Sequence, residues 1–434
     1  MKVLVIGSGG REHAIVRALL SDSSVHELHA APGNAGIDGL IPTHQIDPQD
    51  PAEVTELARR LDSDLVVIGP EAPLISGVSD ALREAGFPVF GPSREAAALE
   101  GSKAFAKGIM AEASVPTAMA KVASDIMEAG EALDALGAPY VVKDDGLAAG
   151  KGVVVTRDRD YALAHAQACF DGGGQVLIEE FLDGPEVSLF VICDGSTVVP
   201  LAPAQDFKRI FDGDEGPNTG GMGAYSPLEW IPEGLVQEVI DRVAQPVVDQ
   251  MAHHGTPFIG VLYCGLALTS RGIRVIEFNA RFGDPETQAV LARLRTPLGA
   301  LLMASAKGQL AEVGPVRWAP ETAVAVVLAA EGYPERPRTG DRLRGVRKAE
   351  QLEGVKVLQA GTSLDEQGKL VSSGGRVLSV VGLGTDLVDA RERAYAGIEL
   401  IELDGSQYRR DIAAKAAWGT IDVPAASARP ENRG

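Results

Sequence analysis

Apolar positions in the first hundred residues fall into short blocks that alternate between strand-like runs and helical spacing. Val3–Ile6 is a continuous apolar run of strand length, and Arg11–Leu20 follows it with a helical pattern. Glu27–Ala30 is a weaker strand, and Val54, Leu57, Ala58 and Leu61 mark one face of a helix. Leu65–Ile68 reads as a buried strand, Leu74–Ala85 as a helix and Pro88–Phe90 as a strand. This alternation predicts an α/β domain built on a doubly wound parallel sheet. Its strands run out into Gly7-Ser8-Gly9-Gly10, Pro32-Gly33-Asn34, Gly69-Pro70-Glu71 and Gly91-Pro92-Ser93. Ligands bind at the carboxyl ends of such strands, so the four loops predict one site.

The pattern then changes. A helical stretch at Lys103–Ala113 leads to a strand at Tyr140–Lys143, a Gly-rich loop and a second strand at Val153–Thr156. A helix at Asp158–Phe170 and strands at Val176–Glu180 and Val187–Cys193 complete a small α+β unit. Asp206–Tyr225 is polar, rich in Gly and long for a connection, which predicts a functional loop. Leu235–Met251 reads as one helix that Pro246 should kink. Val261–Leu268 and Arg274–Phe278 pair about the turn Ser270-Arg271-Gly272. Strands at Ala323–Leu328 and Arg376–Val381 with a helix at Leu387–Ile401 form a last α+β unit. The expected domains are 1–102, 103–122 joined with 189–322, 123–188, and 323–426.

Composition narrows the function. A chain of 434 residues exceeds a single core. A net charge of −20 argues against a nucleic-acid surface. The three cysteines, Cys169, Cys193 and Cys264, form neither a zinc motif nor a disulfide framework, and their apolar surroundings predict buried thiols. No apolar run is long enough to span a membrane, and the opening MKVLVIGSGG reads as a strand and turn rather than a signal peptide. A cytoplasmic protein with neither nucleic-acid nor membrane partners is expected.

The strongest chemical signal is the segment Lys143–Gly152. Lys143 and Lys151 supply positive charge, while Gly146, Gly150 and Gly152 free the backbone N–H groups to turn towards phosphate oxygens. A Walker A loop is excluded. Three residues rather than four separate Gly146 from Gly150, Gly152 occupies the hydroxyl position, and the loop joins two strands. A mobile hairpin over ATP phosphates fits instead, against a plain surface turn.

Other loops carry weaker signals. Gly7–Gly10 partly matches a dinucleotide turn, but Glu12 stands at the third Gly position and Ala30-Ala31-Pro32-Gly33 offers no acid for a ribose. A helix N-terminus aimed at a substrate phosphate is the preferred reading, beside a dinucleotide site or a structural turn. Glu277 and Asn279 share one face of a strand and could hold Mg²⁺, and Arg281 beside them could fork to a carboxylate or a transferring phosphate. The strand ending in Glu179-Glu180-Phe181-Leu182 can offer backbone groups and a carboxylate to an adenosine, with Glu186 as a second ribose candidate, or can be a solvated strand end.

Nine blocks in order resemble the phosphoribosylamine–glycine ligase family of the ATP-grasp superfamily. They are VLVIGSGGREHA (3–14), APGNAG (31–36), GPEAPL (69–74), LEGSKAF (99–105), DGLAAGKGV (145–153), IEEFLDG (178–184), GPNTGGMGAYSP (216–227), EFNARFGDPETQ (277–288) and GGRVL (374–378). The resemblance implies an N-terminal domain for phosphoribosylamine, a central ATP-grasp domain, an ATP lid and a closing C-terminal domain. It implies ligation of glycine to 5-phosphoribosylamine in purine synthesis, with ATP, Mg²⁺ or Mn²⁺, a glycyl phosphate intermediate and no protein nucleophile, in a monomer. Carried over residue by residue, it implies catalytic roles for Lys143, Lys151 and Arg281 and metal ligation by Glu277 and Asn279. It implies ATP contacts at Lys143, Gly146, Gly150, Lys151, Gly152, Glu179, Glu180, Phe181, Leu182 and Glu186. Substrate contacts are implied at Gly9, Gly10, Asn34, Glu71, Asp206, Lys208, Arg281 and Asp284. The chain departs from the family pattern at Asp144, Phe207 and Ala280, where Ala, His and Cys are expected. A sister ATP-grasp ligase or carboxylase with another acceptor, an NAD-dependent oxidoreductase and a silent nucleotide-binding protein are the alternatives.

Overall fold

Four short strands rich in Val, Leu and Ile pair in parallel at the N-terminus, in the spatial order Glu27–Pro32, Lys2–Gly7, Leu65–Ile68, Val89–Phe90. The computed structural model describes residues 1–145 and 152–424. Helix starts in this domain follow local chemistry. Asp50 caps Pro51–Arg60 by accepting from the N–H groups of Ala52 and Glu53 at 2.8 and 3.2 Å. The predicted helix 74–85 is two helices, Glu71–Ile75 and Val78–Glu84, because Gly77 between them adopts φ = 84°.

The small unit is an antiparallel sheet in the order Ala120–Ala123, Val176–Glu179, Tyr140–Asp144, Val153–Thr156. Helices Ile126–Leu136 and Arg159–Asp171 enclose its separate core, which includes Leu133, Val142 and Ile178. Tyr140 pairs with Thr156 and Lys143 with Val153, so the Gly-rich segment joins two paired antiparallel strands, as a hairpin requires.

A central antiparallel sheet follows, in the order Val198–Pro200, Glu186–Asp194, Ile259–Thr269, Gly272–Asn279. A second antiparallel sheet has the order Gln205–Asp206, Gly223–Ser226, Thr322–Ala329, Arg376–Gly384, Val355–Gln359. Two short strands from the expected central segment are thus the edge of the C-terminal sheet. The stretch 206–225, expected as a loop, also holds a hairpin of Arg209–Phe211 with Glu215–Asn218. One buried apolar cluster runs from Leu4 and Ile6 through Val187 and Leu262 to Val324 and Val380, so all parts except the lid share a core.

The helix predicted at 235–251 is Leu235–Val239, a π-helical turn at Ile240–Ala244, and Gln245–His253. Pro246 lacks an N–H and its ring would meet a carbonyl one turn earlier, and the wider turn before it relieves both. Cys193 and Cys264 are buried as expected, whereas Cys169, near the end of an outer helix of the lid, is partly exposed. No helix among the described residues is long and apolar enough to cross a membrane.

Candidate functional site

The loop after the first strand is held from beneath by Glu12. Its carboxylate accepts the Gly9 N–H at 2.6 Å, capping helix Gly10–Leu20, and pairs with Arg11. Gly7 and Gly69 make room for it, since a Cβ on Gly69 would stand 2.2 Å from Glu12 Oε1. The residue that spoils the dinucleotide pattern is therefore a buried brace, and it leaves Gly9 and Gly10 at the helix N-terminus.

Asn34 is used on both sides of its amide. Oδ1 accepts from the N–H groups of Gly36 and Ile37, while Nδ2 donates to the carbonyls of Ser8 at 2.7 Å and Gln359 at 2.9 Å. It ties two strand-end loops of the N-terminal sheet to the C-terminal sheet.

Arg281 leaves strand Gly272–Asn279 and meets two carboxylates from the N-terminal third. Its Nη2 lies 2.8 Å from Glu100 and its Nε 3.3 Å from Glu71. Burial opposes its charge, but Glu100 and Glu71, with Glu286 and Asp284 behind them, hold the guanidinium firmly protonated. Burial pushes the Glu100 carboxyl above the usual carboxylate range even though Arg281 pulls it down, and Glu100 also accepts the Ala280 N–H at 2.8 Å. Asp284 accepts the Arg11 N–H at 3.2 Å and the Gln288 amide at 2.7 Å. Arg376 reaches its carboxylate at 3.3 Å and donates to the carbonyls of Asp284 and Gly220 at 2.7 and 2.6 Å. Burial alone would raise Asp284, but Arg376 and Arg11 keep it below the usual range. Arg376 thus fastens the C-terminal domain to this loop.

A buried triad joins the lid to helix Lys103–Glu112 of the central segment. Glu179 lies between Lys143 at 2.5 Å and Lys107 at 2.6 Å, and Lys143 also donates to the Ile276 carbonyl at 3.2 Å. Lys143 therefore spans from the lid to the strand that carries Glu277. Asp144 points the other way, since neighbours on a strand alternate. Its Oδ1 lies beside Gly174, near the end of the lid helix, so this departure from the family pattern stands on the face opposite Lys143. Glu180 accepts the Met119 N–H at 2.9 Å and pairs with Arg271 at 2.9 Å, Phe181 is exposed and Leu182 half-buried. Gly152 is buried, while Gly146, Gly150 and Lys151 lie outside the described residues.

Between these groups, Lys208 reaches Glu186 at 2.8 Å and Glu277 at 3.6 Å. Burial would raise Glu277, but Lys208, Lys143, Lys103 and Arg281 outweigh it and hold the carboxyl below the usual range. Gly265 faces Glu277 across the sheet, and a Cβ there would come within 3.2 Å of Glu277 Cγ, so the glycine leaves the carboxylate space. Asn279 lies two residues on, on the same face. An ionised carboxylate with space beside it, and an amide two residues on along the same face, suit a divalent cation that takes few protein oxygens. No group of three or more His, Cys, Asp or Glu with metal-holding geometry occurs among the described residues. Asp206 is pushed up to about 8 by burial and by Glu286, Glu186 and Glu277, against the pull of Lys208.

The structure thus gathers Glu71, Asp206, Lys208, Glu277, Arg281 and Asp284 with Lys143, Glu179 and Glu186 into one linked set of charges. Glu12, Glu100, Lys107 and Arg376 join the site beyond the residues expected from the sequence. Glu100 and Arg376 stand within the nine blocks and Lys107 follows Lys103 by one helical turn, the only local signals for them.

Comparison with known proteins bears on the whole chain. Family models described as phosphoribosylglycinamide synthetase match it in three parts, the N domain at residues 1–100, the ATP-grasp (A) domain at 101–287 and the C domain at 323–415. A phosphoribosylamine–glycine ligase of Streptomyces coelicolor is 63% identical over 419 residues, covering 96% of this chain and 100% of the relative. One from Leifsonia xyli is 60% identical, covering 96% and 100%. The crystal structure of phosphoribosylamine–glycine ligase from Thermotoga maritima superposes with a TM-score of 0.81 at 34% identity, over 95% of this chain and 100% of that one. A biotin carboxylase domain of Hydrogenobacter thermophilus 2-oxoglutarate carboxylase, in complex with MgADP, shares the fold at a TM-score of 0.70 and 16% identity, over 94% and 91% of the two chains. The chain belongs to the phosphoribosylglycinamide synthetase family.

Proposed function

We propose that this chain works in the cytoplasm as a monomeric ATP-dependent ligase that joins glycine to 5-phosphoribosylamine, giving glycinamide ribonucleotide, ADP and phosphate in purine synthesis. The activity is the one its full-length relatives are named for. In this reading residues 1–102 hold phosphoribosylamine, 123–188 cover ATP, 103–122 with 189–322 carry metal and glycine, and 323–426 close the site.

ATP first transfers its γ-phosphoryl group to a glycine carboxylate oxygen. The new O–P bond forms as the β–γ bridge breaks, and ADP carries away the bridging oxygen. The phosphoribosylamine nitrogen then attacks the acyl carbon, phosphate leaves with the glycine-derived oxygen, and the nitrogen passes its extra proton to the departing phosphate. No protein nucleophile takes part, so positioning and charge neutralisation carry catalysis. Lys143 and Lys151 attend the ATP phosphates with the glycines Gly146, Gly150 and Gly152, while Glu179–Leu182 and Glu186 attend adenosine. Glu277 and Asn279 would hold Mg²⁺ or Mn²⁺, which when bound screens the phosphate charge. Arg281 receives the glycine carboxylate, which displaces Glu71, while buried Glu100 keeps the guanidinium in place. Gly9, Gly10, Asn34 and Asp284 line or brace the acceptor end, and Asp206 and Lys208 face the reacting groups.

The observation that carries this reading is the position of Arg281, tied to two carboxylates of the N-terminal third and electrostatically coupled to Glu277. Turnover with glycine labelled by ¹⁸O in its carboxylate tests it. One labelled oxygen should appear in the released phosphate. Label-free phosphate would refute a glycyl phosphate intermediate.

A further inference from the structure

Arg409, in the C-terminal domain, is the largest fully buried side chain among the described residues. Its fork grips Asp411, with Nε and Nη2 each 2.7 Å from a carboxylate oxygen. Its Nη1 meets Asp214 at 2.9 Å and the Arg209 carbonyl at 3.2 Å, across about two hundred residues of chain. The guanidinium carbon lies 5.0 Å from the centroid of the Phe207 ring, which also meets the Tyr225 ring. Two charged partners would anchor an arginine at a surface. Burial over an aromatic face adds a third hold, directed at one residue.

That residue stands between Asp206 and Lys208. The Phe207 N–H donates to Gly223 at 3.0 Å and its carbonyl accepts from Met222 at 2.7 Å. Lys208 shares the constraint, since its carbonyl accepts from both the N–H and the hydroxyl of Thr219, at 2.7 and 2.9 Å. Arg409 also holds the hairpin Arg209–Asn218 that begins at the next residue, through Asp214 and the Arg209 carbonyl. The ring fixes the backbone between the two candidate substrate residues, and the hairpin fixes it directly after Lys208.

We propose that Arg409 is a positioning residue for the ligation, and that stacking on Phe207 sets the placement of Asp206 and Lys208. It rests on the reading of the site given above. Wild-type ADP release that depends on glycine belongs to that reading and is measured first, so its failure counts against the function and not against this coupling.

The test is a kinetic double-mutant cycle on the full chain, with Arg409→Met, Phe207→Leu, both together, and Phe207→Tyr, each also melted. A small misplacement of reacting groups costs up to about a hundredfold in rate, so each of the first two variants should lower kcat at least about tenfold. KM for ATP should hold. The double variant should be no slower than the slower single one, because both changes remove one shared contact. Phe207→Tyr keeps the aromatic face and should keep kcat. Losses that multiply to about a hundredfold in the double variant, or singles with unchanged kcat, overturn the proposal. A purely structural role would lower melting temperature and leave kcat per folded molecule unchanged. Should Arg409→Met not fold, Phe207→Leu against Phe207→Tyr decides, and equal effects of the two overturn it.

Discussion

His13 offers a sharp test of how the N-terminal and C-terminal parts are joined. It lies on the first helix, 1% exposed, with its Nδ1 accepting the Gln359 N–H at 2.9 Å. The neutral ring then carries its proton on Nε2, and a Cβ on Gly36 would lie 2.6 Å from its Cε1, so nothing larger than glycine fits there. Burial, reinforced by the nearby charge of Arg17, lowers the ring from 6.5 to about 4. A base depressed on folding stabilises fully above its unfolded value. That contribution is lost as pH falls from 6.5 towards 4, where the folded ring must charge. At roughly 1.4 kcal/mol per pH unit the difference is about 3 kcal/mol, a large fraction of ordinary protein stability. Denaturant unfolding of wild type and His13→Gln between pH 7 and pH 4 measures it. The wild type should lose about 3 kcal/mol more than the variant over that range. Equal slopes for the two proteins, or a His13 ring signal that titrates near pH 6.5 by NMR, would refute the reasoning.

Other predictions follow from single contacts. Glu277→Ala should abolish metal-dependent turnover while the far-ultraviolet spectrum and melting stay close to wild type; undiminished turnover would show that Glu277 holds no metal. Glu179→Gln leaves Lys143 of the lid and Lys107 of helix Lys103–Glu112 facing each other with no carboxylate between them. Breaking such a buried pair costs about 3–5 kcal/mol, so the lid should become protease-sensitive, and resistance equal to wild type contradicts the triad. Gly69→Ala sets a methyl against Glu12 and should displace its cap of the first helix, costing roughly 1–3 kcal/mol of stability in denaturant melts. A neutral outcome would mean that Glu12 moves freely.

The N-terminal sheet was legible because strand and helix periods are local properties. Leu65–Ile68 announces itself within four residues. The lid hairpin was legible for the same reason, from two β-type runs flanking glycines. The break at Gly77 was missed because the apolar spacing continues through it, while the left-handed backbone of one glycine does not show in that spacing. The strands inside 206–225 were hidden by their Gly and polar content: among the described residues Arg209–Phe211 and Glu215–Asn218 pair only with each other, and Gly223–Ser226 takes its partner Thr322–Ala329 from about a hundred residues on. The charge network was legible only in part. Arg281 and Glu277 stand in one block, but Glu100 meets Arg281 across 181 positions, and no local pattern encodes such a pairing. Asp144 illustrates the reverse: it is the sequence neighbour of Lys143, and strand alternation puts the two on opposite faces.

The central claim is that ATP hydrolysis here is coupled to two specific partners. ADP release should be measured with ATP, Mg²⁺, glycine and freshly prepared 5-phosphoribosylamine, omitting each substrate in turn. Steady ADP formation, matched by glycinamide ribonucleotide, is expected only in the complete mixture. ADP formation at the same rate without glycine would contradict it.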